Sequence, residues 1–403
     1  MQAGADAAIT GSRHSRLRRR LYTENAVNRS LTRIAVLGST GSIGCQTLDV
    51  VRAHPERFAV VGLAAGKNTH LLRGQAAEFH PAMLYSLGPD ALEAEGERVS
   101  LVEMATAPEV DVLVSAIVGK DGLAPTLAAL EAGKTVALAN KEAMIMAGPL
   151  LIAAARRGGG EIRPVDSEHS AIWQCLAGED ASSVSRLIVT ASGGALRDLP
   201  VESLGGVSPE QALAHPNWAM GRRITIDSAT LFNKGLEVIE ARWLFDIPFD
   251  RIDVLLHRES IIHSMVEMVD GSIKAHLSFP DMRQPIQFAL SYPDRLDLEL
   301  PRVDFAKLGA LHFGEMDMER YPCLGVALAA GAKGGTFPAA VAAADEEAVG
   351  AFLAGEIGFI DIPALLADTL QRYEPQQADS LEAIMEADSW GRSFAREWTK
   401  GRT

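Results

Sequence analysis

Five short apolar runs between Arg33 and Val165 carry almost no polar alternation: RIAVLG (33–38), FAVVGLAA (58–65), DVLVSAIVG (111–119), KTVALAN (134–140) and EIRPV (161–165). A strand with one wet face alternates polar and apolar residues. One that reads apolar throughout is covered on both faces, and helix-length spacers supply the covering layers of a parallel sheet. The pattern predicts a doubly wound α/β unit over residues 31–165. Its first strand runs into Gly38-Ser39-Thr40-Gly41-Ser42-Ile43-Gly44 at a helix start. Glycines there let the backbone approach a pyrophosphate, whose charge faces the free N–H groups of the helix N-terminus. Thr40, Gly41, Ser42 and Ile43 are therefore candidate contacts in a Rossmann-like dinucleotide site.

Which dinucleotide is decided at the end of the second strand. An NAD site places an acid there, about 20 residues on, to accept from the ribose 2′-hydroxyl. Here the strand ends Ala64-Ala65-Gly66-Lys67-Asn68, with no carboxylate and a cation in its place. Gly66, Lys67 and Asn68 thus suit a 2′-phosphate and predict NADP(H). Local cations matter because 38 Lys and Arg face 52 Asp and Glu, a net charge of −14. That balance argues against a general nucleic-acid or anionic-membrane surface and requires an anionic substrate to be held by a local cluster of donors.

No window approaches the roughly 20 uninterrupted apolar residues of a membrane-spanning helix. Cys45, Cys175 and Cys323 are too scattered for a disulfide framework or a zinc ribbon, which points to a reducing cytoplasm. Residues 1–30 are Arg- and Ser-rich with little acid. They read as a disordered extension, the other reading being a plastid-type transit sequence.

After Pro164 the spacing loosens. RLIVTAS (186–192) reads as a strand ending in Ser-Gly-Gly, and the polar stretch over about 195–223 is too long for an ordinary connection and reads as a lid. SATLFNKGLEVIEARWLF (228–245) has helical apolar spacing behind Asp227 or Ser228 as N-cap. IDVLLH (252–257), SIIHSMVEMV (260–269) and SIKAHLSF (272–279) read as strands, the last two joined by the hairpin signal Asp270-Gly271. These features predict a central α+β domain over 166–292, a linker over 293–320 and a helical C-terminal domain over 321–403.

The densest chemistry begins at Asp166-Ser167-Glu168. On an extended chain, side chains two apart point the same way, so both carboxylates can converge on one cation. Glu237 supplies a third. An all-oxygen set favours Mg2+ or Mn2+ over zinc. Taken alone, an Asp-x-Glu reads as a solvated acidic edge. Asn233, Lys234 and Glu237, however, fall three and four apart on one helix face, which puts a neutral donor and a cation beside a carboxylate. Ser192 and Ser228 add hydroxyls near backbone donors. His215, Trp218 and Met220 lie in the lid, where an aromatic and a thioether exclude water while a histidine donates to an anion.

LGSTGSIG (37–44), AGKN (65–68), LANKE (138–142), PVDSEH (164–169), SGG (192–194), HPNWAMG (215–221), IDSATLFNKGLEVIEARWLF (226–245), IHSMV (262–266) and PDMR (280–283) together resemble the 1-deoxy-D-xylulose 5-phosphate reductoisomerase family, in order and over nearly the whole chain after residue 31. The resemblance implies NADPH-dependent conversion of 1-deoxy-D-xylulose 5-phosphate to 2-C-methyl-D-erythritol 4-phosphate in non-mevalonate isoprenoid biosynthesis. It implies Asp166, Glu168 and Glu237 as ligands of Mg2+ or Mn2+, with Co2+ as an alternative, and assigns Asp166, Glu168 and Lys234 to catalysis. Ser167, Glu168, Ser192, His215, Ser228, Asn233, Lys234 and Glu237 become substrate contacts. Asn140, Lys141, Glu142 and Gly221 join the cofactor contacts, and His263 and Met282 line the same cavity. The family is a homodimer paired through the central sheet. The chain departs from the family's pattern at Ala143 and at Ala195-Leu196. The rival readings are an NADP-dependent dehydrogenase of another phosphorylated aldehyde and a non-catalytic NADP-sensing protein. Neither needs all three carboxylates.

Overall fold

Seven parallel strands form the first sheet of the computed structural model, which describes residues 31–88, 96–218 and 220–402. The expected N-terminal extension lies outside the described residues. β1 (Thr32–Leu37), β2 (Phe58–Ala65), β3 (Met83–Ser86), β4 (Glu97–Arg98), β5 (Val112–Ser115), β6 (Thr135–Leu138) and β7 (Glu161–Pro164) lie in the order β4-β3-β2-β1-β5-β6-β7. All five predicted runs are strands. β3 and β4 were not expected, because strands of four and two residues leave no periodic run to read.

The chain moves outward from β1 to β4 and returns to place β5 beside β1. A crevice opens at such a reversal, outside the carboxyl ends of the strands. The glycine turn sits there. Gly38 has φ +86°, and a Cβ on it would lie 2.4 Å from Ala116 O, while one on Gly44 would lie 2.2 Å from Gly38 O. Only glycine fits either position, so the turn packs tightly enough to bring the N-terminus of the Ser42–Ala53 helix to the crevice.

The second sheet has the order β11-β10-β8-β9-β12, built from β8 (Val184–Ala191), β9 (Ile252–His257), β10 (Ile262–Met268), β11 (Ile273–Leu277) and β12 (Phe313–Gly314). β10 and β11 form the expected hairpin, with Gly271 at φ +84° and Asp270 Oδ1 accepting from Ser272 N at 2.9 Å. The stretch read as a linker also contributes β12, an edge strand too short to show in the pattern.

The single helix expected over 228–245 is two. Arg222–Ala229 and Phe232–Phe245 are separated at Leu231, which is buried at φ +55°. Asp227 and Ser228 therefore occupy the last turn of the first helix and do not cap the second. Packing of Leu231 overrides a continuous helical period.

Helices Pro322–Lys333, Phe337–Ala354, Asp361–Arg372 and Leu381–Lys400 make up the helical C-terminal region. Its core is continuous with the rest. One apolar cluster runs from Ala35 and Leu37 of β1 through Met144 and Phe232 to Ala340, Ile384 and Ala395.

Candidate active site

A cavity of about 560 Å³ opens at the strand-order reversal. Its lining includes Gly41, Ser42 and Ile43 from the glycine turn, with Lys141 and Glu142 from the start of the Lys141–Gly158 helix. Asp166, Ser167, Glu168, Ser192, Ser228, Asn233 and Lys234 also line it, as do His215, Trp218, Met220, Gly221, His263 and Met282. Thr40, Gly66, Lys67, Asn68, Asn140 and Glu237 are outside that lining. Lys67 is exposed at the end of β2. Asn68 caps the following helix, accepting from Leu71 N at 3.2 Å. The Asn140 side chain is committed to the chain itself: it accepts from Ala143 N at 2.7 Å and donates to Gly119 O at 2.8 Å and to Ile117 O.

Asp166 and Glu168 converge, but not as alternate residues of an extended chain. Asp166 is the N-cap of the Ser167–Leu176 helix, its Oδ1 accepting from Ser167 N at 3.1 Å, and Glu168 lies in the first turn. Ser167 Oγ donates to Glu168 Oε2 at 2.6 Å. Helix initiation thus replaces strand pleat as the device that aims the two carboxylates. Glu237 approaches from the Phe232–Phe245 helix, and one oxygen of each acid lies within 4.8 Å of the others.

Two buried lysines interleave with these acids. Lys234 Nζ lies 2.7 Å from Glu168 Oε1 and also pairs with Glu237, to which Asn233 donates. The expected shared face of 233, 234 and 237 is therefore realised. Lys141 Nζ lies 2.6 Å from Asp166 Oδ2, 2.7 Å from Asn233 Oδ1 and 3.6 Å from Glu237 Oε1. A residue expected at the dinucleotide is packed into the carboxylate cluster.

The titration behaviour follows from burial against these charges. Burial, reinforced by the Glu168 charge, pushes Glu237 up to about 7. Burial also opposes ionisation of Asp166, but Lys141 and His169 outweigh it and hold Asp166 at about 2. Lys234 holds Glu168 below the usual carboxylate range in the same way. Burial would strip protons from Lys141 and Lys234, yet the surrounding acids keep both above the ordinary lysine value. Three acids against two lysines leave a formal charge of −1 in an all-oxygen donor set that borders the cavity. The chemistry and spacing fit a hard divalent cation.

Sequence reasoning did not assign His169 or Glu240, both fully buried behind Asp166. His169 Nε2 donates to Glu237 O at 2.8 Å and so fixes the backbone that carries a proposed ligand. Arg223 was missed too. Its guanidinium reaches Glu142 at 3.1 Å, Glu346 at 3.3 Å, Asp227 at 3.7 Å and Asp345 at 3.9 Å. All but Asp227 are remote in sequence, so no local signal marks the group.

At the hydroxyl-bearing part of the cavity, Ser192 Oγ lies 3.0 Å from His215 Nε2 and accepts from Gly194 N at 3.2 Å. The Trp218 and His263 rings lie 6.3 Å apart. Much of the 195–223 stretch is anchored, since Leu196, Leu204, Val207 and Ala212 join the main apolar core. From this stretch, His215, Asn217, Trp218 and the residues from Met220 to Arg223 line the cavity.

Models for 1-deoxy-D-xylulose 5-phosphate reductoisomerase match residues 34–148, for its C-terminal domain residues 162–245, and for the DXP reductoisomerase C-terminal domain residues 277–394. The reductoisomerase of Heliobacterium modesticaldum is 52% identical over 91% of this chain and 97% of its own length. The chain belongs to the 1-deoxy-D-xylulose 5-phosphate reductoisomerase family. The Geobacillus kaustophilus reductoisomerase is 51% identical over 90% of this chain and 98% of its own. Among solved structures, a reductoisomerase in complex with NADPH, fosmidomycin and magnesium is 39% identical, with a TM-score of 0.88 over 92% of this chain and 98% of that one. The Zymomonas mobilis reductoisomerase in complex with NADPH is 40% identical, with a TM-score of 0.85 over 92% of this chain and 100% of that one. The departures from the reductoisomerase pattern are accommodated structurally. Ala143 is buried beneath its backbone bond to Asn140, and Leu196 packs into the core.

Proposed function

We propose that this chain converts 1-deoxy-D-xylulose 5-phosphate to 2-C-methyl-D-erythritol 4-phosphate, using NADPH and a divalent cation, in non-mevalonate isoprenoid biosynthesis. The observation that carries the reading is the convergence of Asp166, Glu168 and Glu237 on one point beside a dinucleotide crevice. A plain dehydrogenase or an NADP sensor has no use for that triad.

Asp166, Glu168 and Glu237 would hold the cation, Mg2+ or Mn2+ by their donor chemistry. When bound, the cation supplies Lewis acidity to the ketone and a neighbouring hydroxyl, and NADPH supplies the reducing equivalents. Lys234 and Ser167 sit beside the acids and orient the substrate's oxygens. Ser192, Ser228, Asn233 and His215 supply donors to its phosphate, and binding energy gained there orients the reacting carbons. Trp218 and Met220 exclude water.

NADPH would lie along Gly41, Ser42 and Ile43 with its reactive end toward Lys141, Glu142 and Gly221. Lys67 and Asn68 would meet the 2′-phosphate, a reading supported by their exposure at the end of β2. Replacing Lys67 with alanine is expected to raise KM for NADPH about tenfold or more and to leave KM for NADH nearly unchanged, since a charge-assisted hydrogen bond contributes about 1.5–3 kcal/mol. Steady-state kinetics with both cofactors checks this, and equal changes would move the 2′-phosphate elsewhere.

The division into nucleotide (31–165), central (166–292) and helical (321–403) domains is part of this reading, as is a homodimer formed through the central sheet. β11 is an edge strand with Ile273 and nearby Phe279 exposed, which supports pairing of two copies there. No helix among the described residues is long and apolar enough to cross a membrane, and the cysteines are unpaired, which supports a cytoplasmic site of action. The direct test is NADPH oxidation with 1-deoxy-D-xylulose 5-phosphate. Activity should require Mg2+ or Mn2+, vanish with EDTA and return when the ion is restored. Full turnover in chelator would refute the metal-dependent reading.

A further inference from the structure

The His215–Trp218 turn is held on a platform built by another part of the chain. Asn217 Nδ2 donates to Arg258 O at 2.7 Å and to Ser260 Oγ at 3.0 Å. The turn that presents these acceptors is itself fixed. His257 Nδ1 donates to His312 O at 3.1 Å, leaving Nε2 to accept from Ile261 N at 3.2 Å and Ile262 N at 3.1 Å. Ser260 is held at φ +55°, a conformation that orders a serine only where the surroundings impose it.

The contact governs His215. His215 Nδ1 accepts from the backbone N–H groups of Asn217 at 3.2 Å and Trp218 at 3.0 Å. A nitrogen that accepts two N–H bonds carries no proton, so the ring proton is on Nε2, 3.0 Å from Ser192 Oγ. Ser192 Oγ accepts from Gly194 N as well, which leaves its own hydroxyl hydrogen free to donate into the cavity. Burial, together with the Arg197 charge, also pushes His215 down to about 4. The imidazole is thus a neutral donor whose direction is set by the backbone at 217 and 218, and that backbone is tied down by the Asn217 amide.

We infer that Asn217 is a positioning residue: it latches the lid to the His257–Ser260 turn and so aims His215 Nε2–H at Ser192 Oγ, whose own hydroxyl hydrogen is then directed at the substrate's phosphate. The inference rests on the functional reading given above and assigns to Asn217, which lines the cavity beside His215, a part played through His215 and Ser192. Asn217 is half-buried in the lid and outside the main apolar core, so its replacement leaves the fold intact.

The test compares wild type with Asn217→Ala, Asn217→Asp and Ser260→Ala under saturating NADPH and Mg2+. Losing the latch should raise KM for 1-deoxy-D-xylulose 5-phosphate about tenfold in both Asn217 variants, the equivalent of one or two hydrogen bonds. Asn217→Asp offers the Arg258 carbonyl another acceptor and should not rescue. Ser260→Ala removes the lesser contact and should change KM by about threefold or less. KM for NADPH should not move, and kcat should change far less than KM. The dissociation constant of inorganic phosphate, read by calorimetry, should rise in parallel with KM. Asn217 variants that keep wild-type phosphate affinity and KM, or that lose kcat with KM unchanged, would overturn the inference. The phosphate measurement stands apart from turnover. A wild type that failed to use the ketose phosphate would defeat the functional reading while the latch could still be read.

Discussion

Glu237→Gln should cut turnover on the order of a thousandfold and leave NADPH binding intact. The Glu237 carboxylate is almost wholly buried and is contacted by Asn233, Lys234 and Lys141, so it anchors the cluster from beneath. An amide keeps the shape but removes the charge, and it turns an –NH2 group toward partners that are themselves donors. Cation affinity and the stabilisation of developing negative charge are lost together, so kcat should fall on the order of a thousandfold, about 4 kcal/mol. The glycine turn shares no residue with this cluster. Its affinity for NADPH, read by fluorescence titration, should stay within about twofold. Turnover by the variant in the presence of EDTA would show that the three carboxylates do not hold a catalytic ion.

Lys141→Met should be nearly as damaging, and its kinetic signature separates two roles. A pure cofactor contact predicts a higher KM for NADPH and an unchanged kcat. The geometry predicts the reverse. Lys141 is a buried cation 2.6 Å from Asp166, and removing one partner of a buried pair typically costs about 3–5 kcal/mol because the other is left uncompensated. Loss of Lys141 leaves Asp166 without the buried cation that positions it and the cluster at a formal charge of −2. A fall in kcat of at least about a hundredfold, with KM for NADPH nearly unchanged, is the expected outcome. A change confined to KM for NADPH would return Lys141 to the dinucleotide.

The nucleotide-binding half was legible because its signals are local. Buried strands announce themselves as apolar runs, and the crowding around Gly38 and Gly44 leaves glycine as the only residue that fits. Asn233, Lys234 and Glu237 were legible for the same reason, since one helix period places them together. What escaped depends on contacts between distant segments. The Leu231 break is invisible in a sequence whose helical period runs straight through it. Lys141 stands directly after a strand, at a position that a dinucleotide site would claim. Its partners come from two distant segments, Asp166 at the cap of the Ser167–Leu176 helix and Asn233 and Glu237 on the Phe232–Phe245 helix. Arg223 gathers carboxylates from three separate helices, and no spacing rule reaches across such gaps.

The apolar cluster that runs from β1 to the last helix has a consequence for how this protein can be divided. The Phe337–Ala354 helix is buried along most of its length and meets the Lys141–Gly158 helix as well as its helical neighbours. Cutting the chain before residue 321 would leave one fragment with an uncovered flank and another with a helix too apolar for water, although neither cut face holds a catalytic group. Fragments of this kind go to aggregation or proteolysis before their chemistry can be assayed. A premature stop in the last quarter of the gene would therefore act as a null allele through protein loss, not through damage to the active site.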